Sequence, residues 1–188
     1  MRIVAGTARG RRLVAPAGDA VRPTTDRVRE ALFNSLVSLD AVRDATVLDL
    51  FAGSGALGIE ALSRGATHAT FVDSSPEALR AIRTNLEQTG LADRATVVRA
   101  DARDHLTRGA ATAARVDLAL VDPPYSFDEW PSLLAALDAE IVVIESDREV
   151  DPGDGATVMR ARRYGGTVVT IARYGDPDPG RFTPEDRS

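Results

Sequence analysis

Cysteine and lysine are both missing from this 188-residue chain. Without cysteine there can be no disulfide, no thiolate metal site and no cysteine nucleophile, a pattern compatible with a cytoplasmic protein. All 23 basic residues are arginine, a bias that codon usage in a GC-rich genome explains without mechanistic meaning. Histidine is scarce too. His68 and His105 stand apart with no carboxylate or serine at an informative spacing, so both read as structural. No metal site is visible. No apolar run approaches the roughly 20 residues of a membrane span. The arginine-bearing N-terminus lacks the apolar core of a signal peptide, so neither a span nor a leader is expected. What remains is an ordinary globular composition, 44% hydrophobic and 27% charged. Its length suits one domain with a sizeable core, and nothing in it asks for more than a monomer.

The net charge of −5 is unevenly spread. Residues 1–35 hold seven arginines against three acids, a net of +4, and the remainder holds 16 arginines against 25 acids, a net of −9. Such an asymmetry predicts a basic face on an acidic body, the footprint of nucleic-acid contact; incidental arginines on a solvated hairpin would leave the same imbalance. Arg2 to Ala15 reads as two short strands around Gly6-Thr7-Ala8-Arg9-Gly10, and Thr25 as the N-cap of a helix carrying Val28, Leu32, Leu36 and Leu39 at helical spacing.

From Thr46 onward strands and helices alternate. Thr46–Leu50, Ala69–Asp73, Ala95–Ala100, Val116–Val121 and Ile141–Glu145 read as strands. Ala56–Ser63, Pro76–Thr89, Ala102–Thr107 and Glu129–Leu137 read as helices. This alternation predicts an α/β fold with a parallel sheet and helices on both faces. Thr157–Arg163 and Thr167–Arg173 flank Tyr164-Gly165-Gly166, a hairpin signal. The chain is thus expected to divide into a basic N-terminal extension (1–40), a core (41–174) and a tail without periodicity (175–188), which reads as disordered.

Two motifs carry chemistry. The first is Asp122-Pro123-Pro124-Tyr125, closing the strand Val116–Val121. Proline has a fixed φ and no N–H, so the pair pins an extended turn where the strand stops. In an open α/β sheet, ligands bind just beyond the carboxyl ends of the strands. A carboxylate, fixed carbonyls and a flat π face there suit an exocyclic amino group on a planar base. The second motif is Leu48-Asp49-Leu50-Phe51 followed by Ala52-Gly53-Ser54-Gly55 and a helix. Gly53, Gly55 and Gly58 fit G-x-G-x-x-G, with Asp73 20 residues after Gly53, and on those features alone the loop could hold a dinucleotide. Asp49 argues against a pyrophosphate and for a cationic ligand.

Together these pieces resemble the class I S-adenosylmethionine-dependent methyltransferases that carry a (D/N/S)-P-P-(Y/F/W) motif. Arg2-Ile3-Val4-Ala5-Gly6, Arg9-Gly10-Arg11-Arg12-Leu13 and the run from Arg22-Pro23-Thr24-Thr25 to Asn34 are similar to the RsmD family, which methylates N2 of a guanine in 16S rRNA. The resemblance implies a Rossmann-like, mostly parallel seven-stranded sheet with an antiparallel C-terminal hairpin and a small N-terminal hairpin and helix. It implies S-adenosylmethionine as cofactor and 16S rRNA, in the 30S subunit or its assembly intermediate, as partner. It also assigns roles. Asp49, Phe51, Gly53 and Gly55 would surround the methionine end, and Asp73 with Ser74 the ribose. Asp101 and the Ala102 N–H would meet the adenine, and Thr24 or Arg27 the methionine carboxylate. Asp122 and the Pro123 carbonyl would accept the amino hydrogens of the base, with Pro124 setting the turn and Tyr125 stacking. Arg2, Arg9, Arg11, Arg12, Arg22 and Arg27 would face RNA. Phe127 and Trp130 stay open between RNA groove and core. Rival readings are an N6-adenine methyltransferase, since the same tetrapeptide serves both amines; a NAD-dependent oxidoreductase, which leaves Asp122-Pro123-Pro124-Tyr125 without a task; and a non-catalytic RNA-binding module, which would tolerate loss of Asp122.

Overall fold

The computed structural model describes residues 1–16, 26–109 and 115–175; Arg22, Thr24, Thr25 and the tail from 176 lie outside them. Seven strands form one sheet: β1 Thr46–Leu50, β2 His68–Asp73, β3 Ala95–Arg99, β4 Val116–Val121, β5 Ala139–Ser146, β6 Ala156–Tyr164 and β7 Thr167–Tyr174. Their order is β3-β2-β1-β4-β5-β7-β6. The first five run parallel, while β7 is antiparallel to both β5 and β6. The helices are α1 Asp26–Ser38, α2 Ala56–Ser63, α3 Pro76–Thr89, α4 Ala102–Gly109 and α5 Trp130–Ala135. No helix among the described residues is long and apolar enough to cross a membrane.

Strand alternation divides the apolar residues between two layers, because successive side chains leave opposite faces of the sheet. Val47, Phe71, Leu118, Leu120 and Val143 join Phe33, Ile59 and Ile82 from α1, α2 and α3 on one face. Leu48, Val72, Ala119, Val121 and Ile144 meet Leu106, Trp130 and Leu133 from α4 and α5 on the other. Most elements shift by one or two residues at one or both ends from the sequence expectation, and two of the shifts have a visible cause. β5 runs two residues earlier and one later than its apolar stretch, since β7 pairs with it as far as Ser146. α5 is shorter, because Glu129 stands outside it as the N-cap and its side chain is ion-paired with Arg103.

The N-terminal segment packs into the first layer through Ile3, Ala8 and Leu13. A single antiparallel bridge, Arg2 to Arg12, closes its loop. Its backbone is held by a buried carboxylate. Glu60 on α2 is 0% exposed, and its two oxygens accept from the backbone N–H groups of Val4 at 2.8 Å and Ala5 at 3.0 Å. Arg64 Nε bonds Glu60 at 2.7 Å, and Arg29 Nε lies 3.6 Å from it. Arg29 is 1% exposed and also donates to Asp26 Oδ1 and the Arg2 carbonyl. One of the seven N-terminal arginines is therefore structural, and the basic surface is smaller than the charge count implied.

Asn85 on α3 makes a second tie. Its amide donates to the carbonyls of Val14 at 2.9 Å and Ser54 at 2.8 Å, and its oxygen accepts from Val14 N–H at 2.8 Å. The N-terminal segment and the glycine loop after β1 thus hang from one side chain. A buried ion pair that loses one partner leaves an uncompensated charge, at a cost of about 3–5 kcal/mol. Glu60→Gln is expected to lower the urea unfolding free energy by about that amount, whereas Glu77→Gln, in the exposed Glu77–Arg80 pair, should leave it essentially unchanged.

Candidate active site

β1 sits between β2 and β4, and the chain reverses its direction of travel across the sheet there. Leu50 is level with Val72 on one side and Val121 on the other. The next residues, Phe51, Asp73 and Asp122, therefore emerge together at the carboxyl ends of three neighbouring strands. A cleft of about 640 Å³ opens beside them, with Phe51, Ser74, Asp101, Arg103, Pro124 and Glu129 among its lining. Asp73 and Asp122 do not line it themselves but lie close in sequence to Ser74 and Pro124, which do. That size and position suit a small-molecule site.

The loop after β1 explains how the backbone reaches the cleft. Phe51 has φ 58°, an uncommon conformation for a bulky residue and one that clusters at functional sites. Its ring packs edge-on against Phe127 at 5.4 Å, and Phe127 against Trp130 at 5.2 Å. Trp130 is buried in the second layer, while Phe127 both packs there and lines the cleft. Gly55 caps α2 at φ 75°, and a Cβ on it would meet Ile82, Ile59 and Phe71 at 3.2–3.3 Å. Gly58 is needed for close approach, since its Cβ would lie 2.4 Å from Phe71 and 3.0 Å from Asp49 Oδ2.

The carboxylates occupy distinct settings. Asp49 is 2% exposed and accepts from Gly58 N–H at 2.9 Å. Burial pushes its pKa from 3.8 to about 8, with the Gly58 bond opposing and the charge of Asp73 adding to the rise. It therefore holds its proton at neutral pH unless a cation lies nearby. Asp73 accepts from Gly53 N–H at 2.8 Å and Ser75 N–H at 2.9 Å, one bond to each oxygen. A carboxylate has about four acceptor sites, so both oxygens retain capacity. Asp101 Oδ1 accepts from the N–H groups of Arg103 at 2.9 Å and Asp104 at 3.3 Å, which caps α4, and the residue also lines the cleft. Ala102 is buried just behind it.

The turn after β4 is braced from two sides. Asp122 is half-buried, Pro123 buried and Pro124 exposed. Tyr125 is 39% exposed, its hydroxyl 3.1 Å from Thr167 Oγ1. The Phe127 N–H closes onto the Pro124 carbonyl at 2.8 Å. Arg148, beyond β5, donates to the carbonyls of Phe127 at 2.7 Å and Tyr125 at 3.4 Å. Neither Arg148 nor the Arg103–Glu129 pair was among the expected site residues. Both contacts span more than 20 positions, and no local spacing signals them. Of the expected basic residues, Arg2, Arg9, Arg11, Arg12 and Arg27 are exposed, with Arg2 near Asp26. His68 bonds Thr96, and burial lowers the pKa of His105. Among the described residues no group of acids and histidines could hold a metal.

Comparison with known proteins agrees with the fold. The model of the family described as Conserved hypothetical protein 95 matches residues 1–173. The chain is 41% identical over 182 residues to the putative rRNA methyltransferase YlbH of Bacillus subtilis, covering 91% of this chain and 97% of that one. It is 40% identical over 156 residues to the ribosomal RNA small subunit methyltransferase D of Escherichia coli K12, covering 79% and 76%. Among solved structures, the putative methyltransferase yhhF from Escherichia coli superimposes with a TM-score of 0.80 at 34% identity, over 94% of this chain and 99% of that one.

The raised pKa of Asp49 has a thermodynamic consequence. The folded chain binds this proton more tightly than the unfolded chain, so the contribution is fully present below pH 3.8 and is lost as pH rises to about 8. The ligand-free protein should lose up to about 1.4 kcal/mol per pH unit in that window from this group. Urea titrations of wild type and Asp49→Asn across pH 5–8 read it as the difference in slope, with the variant flatter.

Proposed function

The chain belongs to the family described as Conserved hypothetical protein 95, together with the small-subunit rRNA methyltransferases D, and on that premise we propose that it transfers a methyl group from S-adenosylmethionine to N2 of a guanine in 16S rRNA. The observation that carries the reading is the emergence of Phe51, Asp73 and Asp122 side by side at three strand ends, next to a cleft lined by Phe51, Ser74 and Pro124. The choice of guanine N2 is supported by the N-terminal sequence signature, and that of the small subunit by the relatives' activity.

S-adenosylmethionine, when bound, supplies an electrophilic sulfonium methyl. Asp73 has the spare acceptor sites to take the ribose hydroxyls in bidentate fashion, beside Ser74. Asp101 and the Ala102 N–H flank the adenine position. Phe51, Gly53 and Gly55 shape the loop around the methionine end, with Thr24 outside the described residues. Beneath them Asp49 ionises when an ammonium or sulfonium comes near, because the cation offsets the desolvation that otherwise keeps it protonated. Cofactor binding below pH 8 therefore releases a proton from this site.

The base is presented by the turn after β4. The amino group of guanine is a poor nucleophile, since its lone pair is delocalised into the ring. Asp122 and the Pro123 carbonyl accept the two amino hydrogens, turn the lone pair toward the methyl and favour the positive charge that develops on nitrogen. Once methylated the nitrogen is strongly acidic, and its proton passes to Asp122 or to water. Tyr125 stacks on the base, held in place by Thr167 and by Arg148 behind it. A stacked base cannot reach this pocket, so the target is flipped out or already unpaired. Arg2, Arg9, Arg11, Arg12 and Arg27, with Arg22 outside the described residues, form the basic face toward the RNA. The protein acts as a monomer in the cytoplasm, on the 30S subunit or its assembly intermediate.

Asp122→Asn keeps the size of the side chain and removes its charge. Single-turnover methylation should slow about 100-fold or more, while calorimetric S-adenosylmethionine affinity stays within about twofold. A variant that methylates at the wild-type rate would overturn the assigned role.

A further inference from the structure

The strand most open to solvent is β6, at the edge of the sheet, where every residue from 157 to 163 is exposed. Three of these are arginines, Arg160, Arg162 and Arg163. Arg160 is used internally, donating to Ser35 on α1. Arg162 and Arg163 have no acidic partner among the described residues. Two acids of the neighbouring rim are engaged: Asp147 with Arg148, and Glu129 with Arg103.

The register places these two arginines at the functional end of the sheet. Val121, Ile144, Thr170 and Ala161 lie level across β4, β5, β7 and β6. One step further along, Asp122, Glu145, Val169 and Arg162 form the next row. Asp122 and Arg162 are thus three strand spacings apart, about 14 Å, and the Glu145 between them is buried. Arg162 pairs opposite Val169, a member of the first apolar layer, so it projects on the face that carries α1 and the N-terminal arginines. Arg163 projects on the other face, beside the Asp147 carbonyl. The turn that follows them ends at Thr167, which bonds the hydroxyl of Tyr125. Anything seated on Tyr125 has the tip of this hairpin as its wall.

We propose that Arg162 and Arg163 form a second RNA-contact surface, gripping backbone phosphates of the strand that flanks the target base. The inference rests on the proposed function and adds to it a contact made by a different element from the one that carries the N-terminal arginines. Positive charge on an exposed edge also discourages pairing with another strand, but that task alone would leave substrate affinity and its salt dependence untouched. Two anchors on opposite sides of the turn would fix the RNA strand while the base enters the pocket, phosphate contacts setting position rather than sequence choice.

The test compares wild type, Arg162→Ala/Arg163→Ala and Arg162→Lys/Arg163→Lys for binding to small-subunit particles over a range of KCl concentrations. Methyl transfer and S-adenosylmethionine affinity are followed on the same samples, and unchanged thermal midpoints exclude a folding defect. The alanine pair should weaken particle binding about tenfold or more and reduce the slope of log affinity against log salt by about 1.4. Cofactor affinity should not change, and the lysine pair should restore most of the loss. Wild-type affinity in the alanine pair overturns the proposal and leaves the methyltransferase reading intact. Weaker binding with an unchanged salt slope also overturns it, because the hairpin would then be meeting a ribosomal protein. Failure of the wild type itself to transfer methyl overturns the reading on which the proposal stands.

Discussion

Parallel hydrogen bonding of β1 to both β2 and β4 is the constraint on which the site depends. Because the three strands end in register, the residues just past each end share one rim. None of the three could be moved by a single position without reversing every side chain on its strand between the two apolar layers. The core therefore fixes the site. Burial of Val47, Phe71 and Leu120 on one face and Leu48, Val72 and Val121 on the other holds the row of Phe51, Asp73 and Asp122 in place.

The N-terminal segment enters the same mechanical unit. Glu60 and Asn85 are both fully buried, and each binds the backbone of residues 4–14 from a helix flanking the glycine loop. Asn85 also holds the Ser54 carbonyl, within that loop. The exposed arginines of this segment are therefore carried on a support tied to the glycine loop. On the opposite side the β6–β7 hairpin is joined to Tyr125 through Thr167. A bound RNA strand would touch the two ends of a single braced frame.

Much of the sheet was legible in the sequence because short apolar runs alternate with helical spacing and most of them end close to an acid, proline or glycine. The Asp122-Pro123-Pro124-Tyr125 turn and the Phe51–Gly55 loop were legible for the same reason. Contacts between distant segments were not. Arg148 follows an unremarkable strand end, and only the fold brings it beneath the Phe127 carbonyl. Arg29 adds to the N-terminal charge total, yet it shares a helical face with Phe33 and Leu36, a pattern that could have marked it as buried. The charge state of Asp49 was the least visible of all. A carboxyl at a strand end reads as an anion, whereas desolvation by the surrounding core decides otherwise in the ligand-free protein.

The most direct measurement supplies radiolabelled S-adenosylmethionine to small-subunit particles from a strain lacking this protein and then identifies the labelled nucleoside in the rRNA. Label in N2-methylguanosine is the expected outcome. Label in N6-methyladenosine would contradict the assigned amine, and no incorporation despite intact cofactor binding would contradict the assigned substrate.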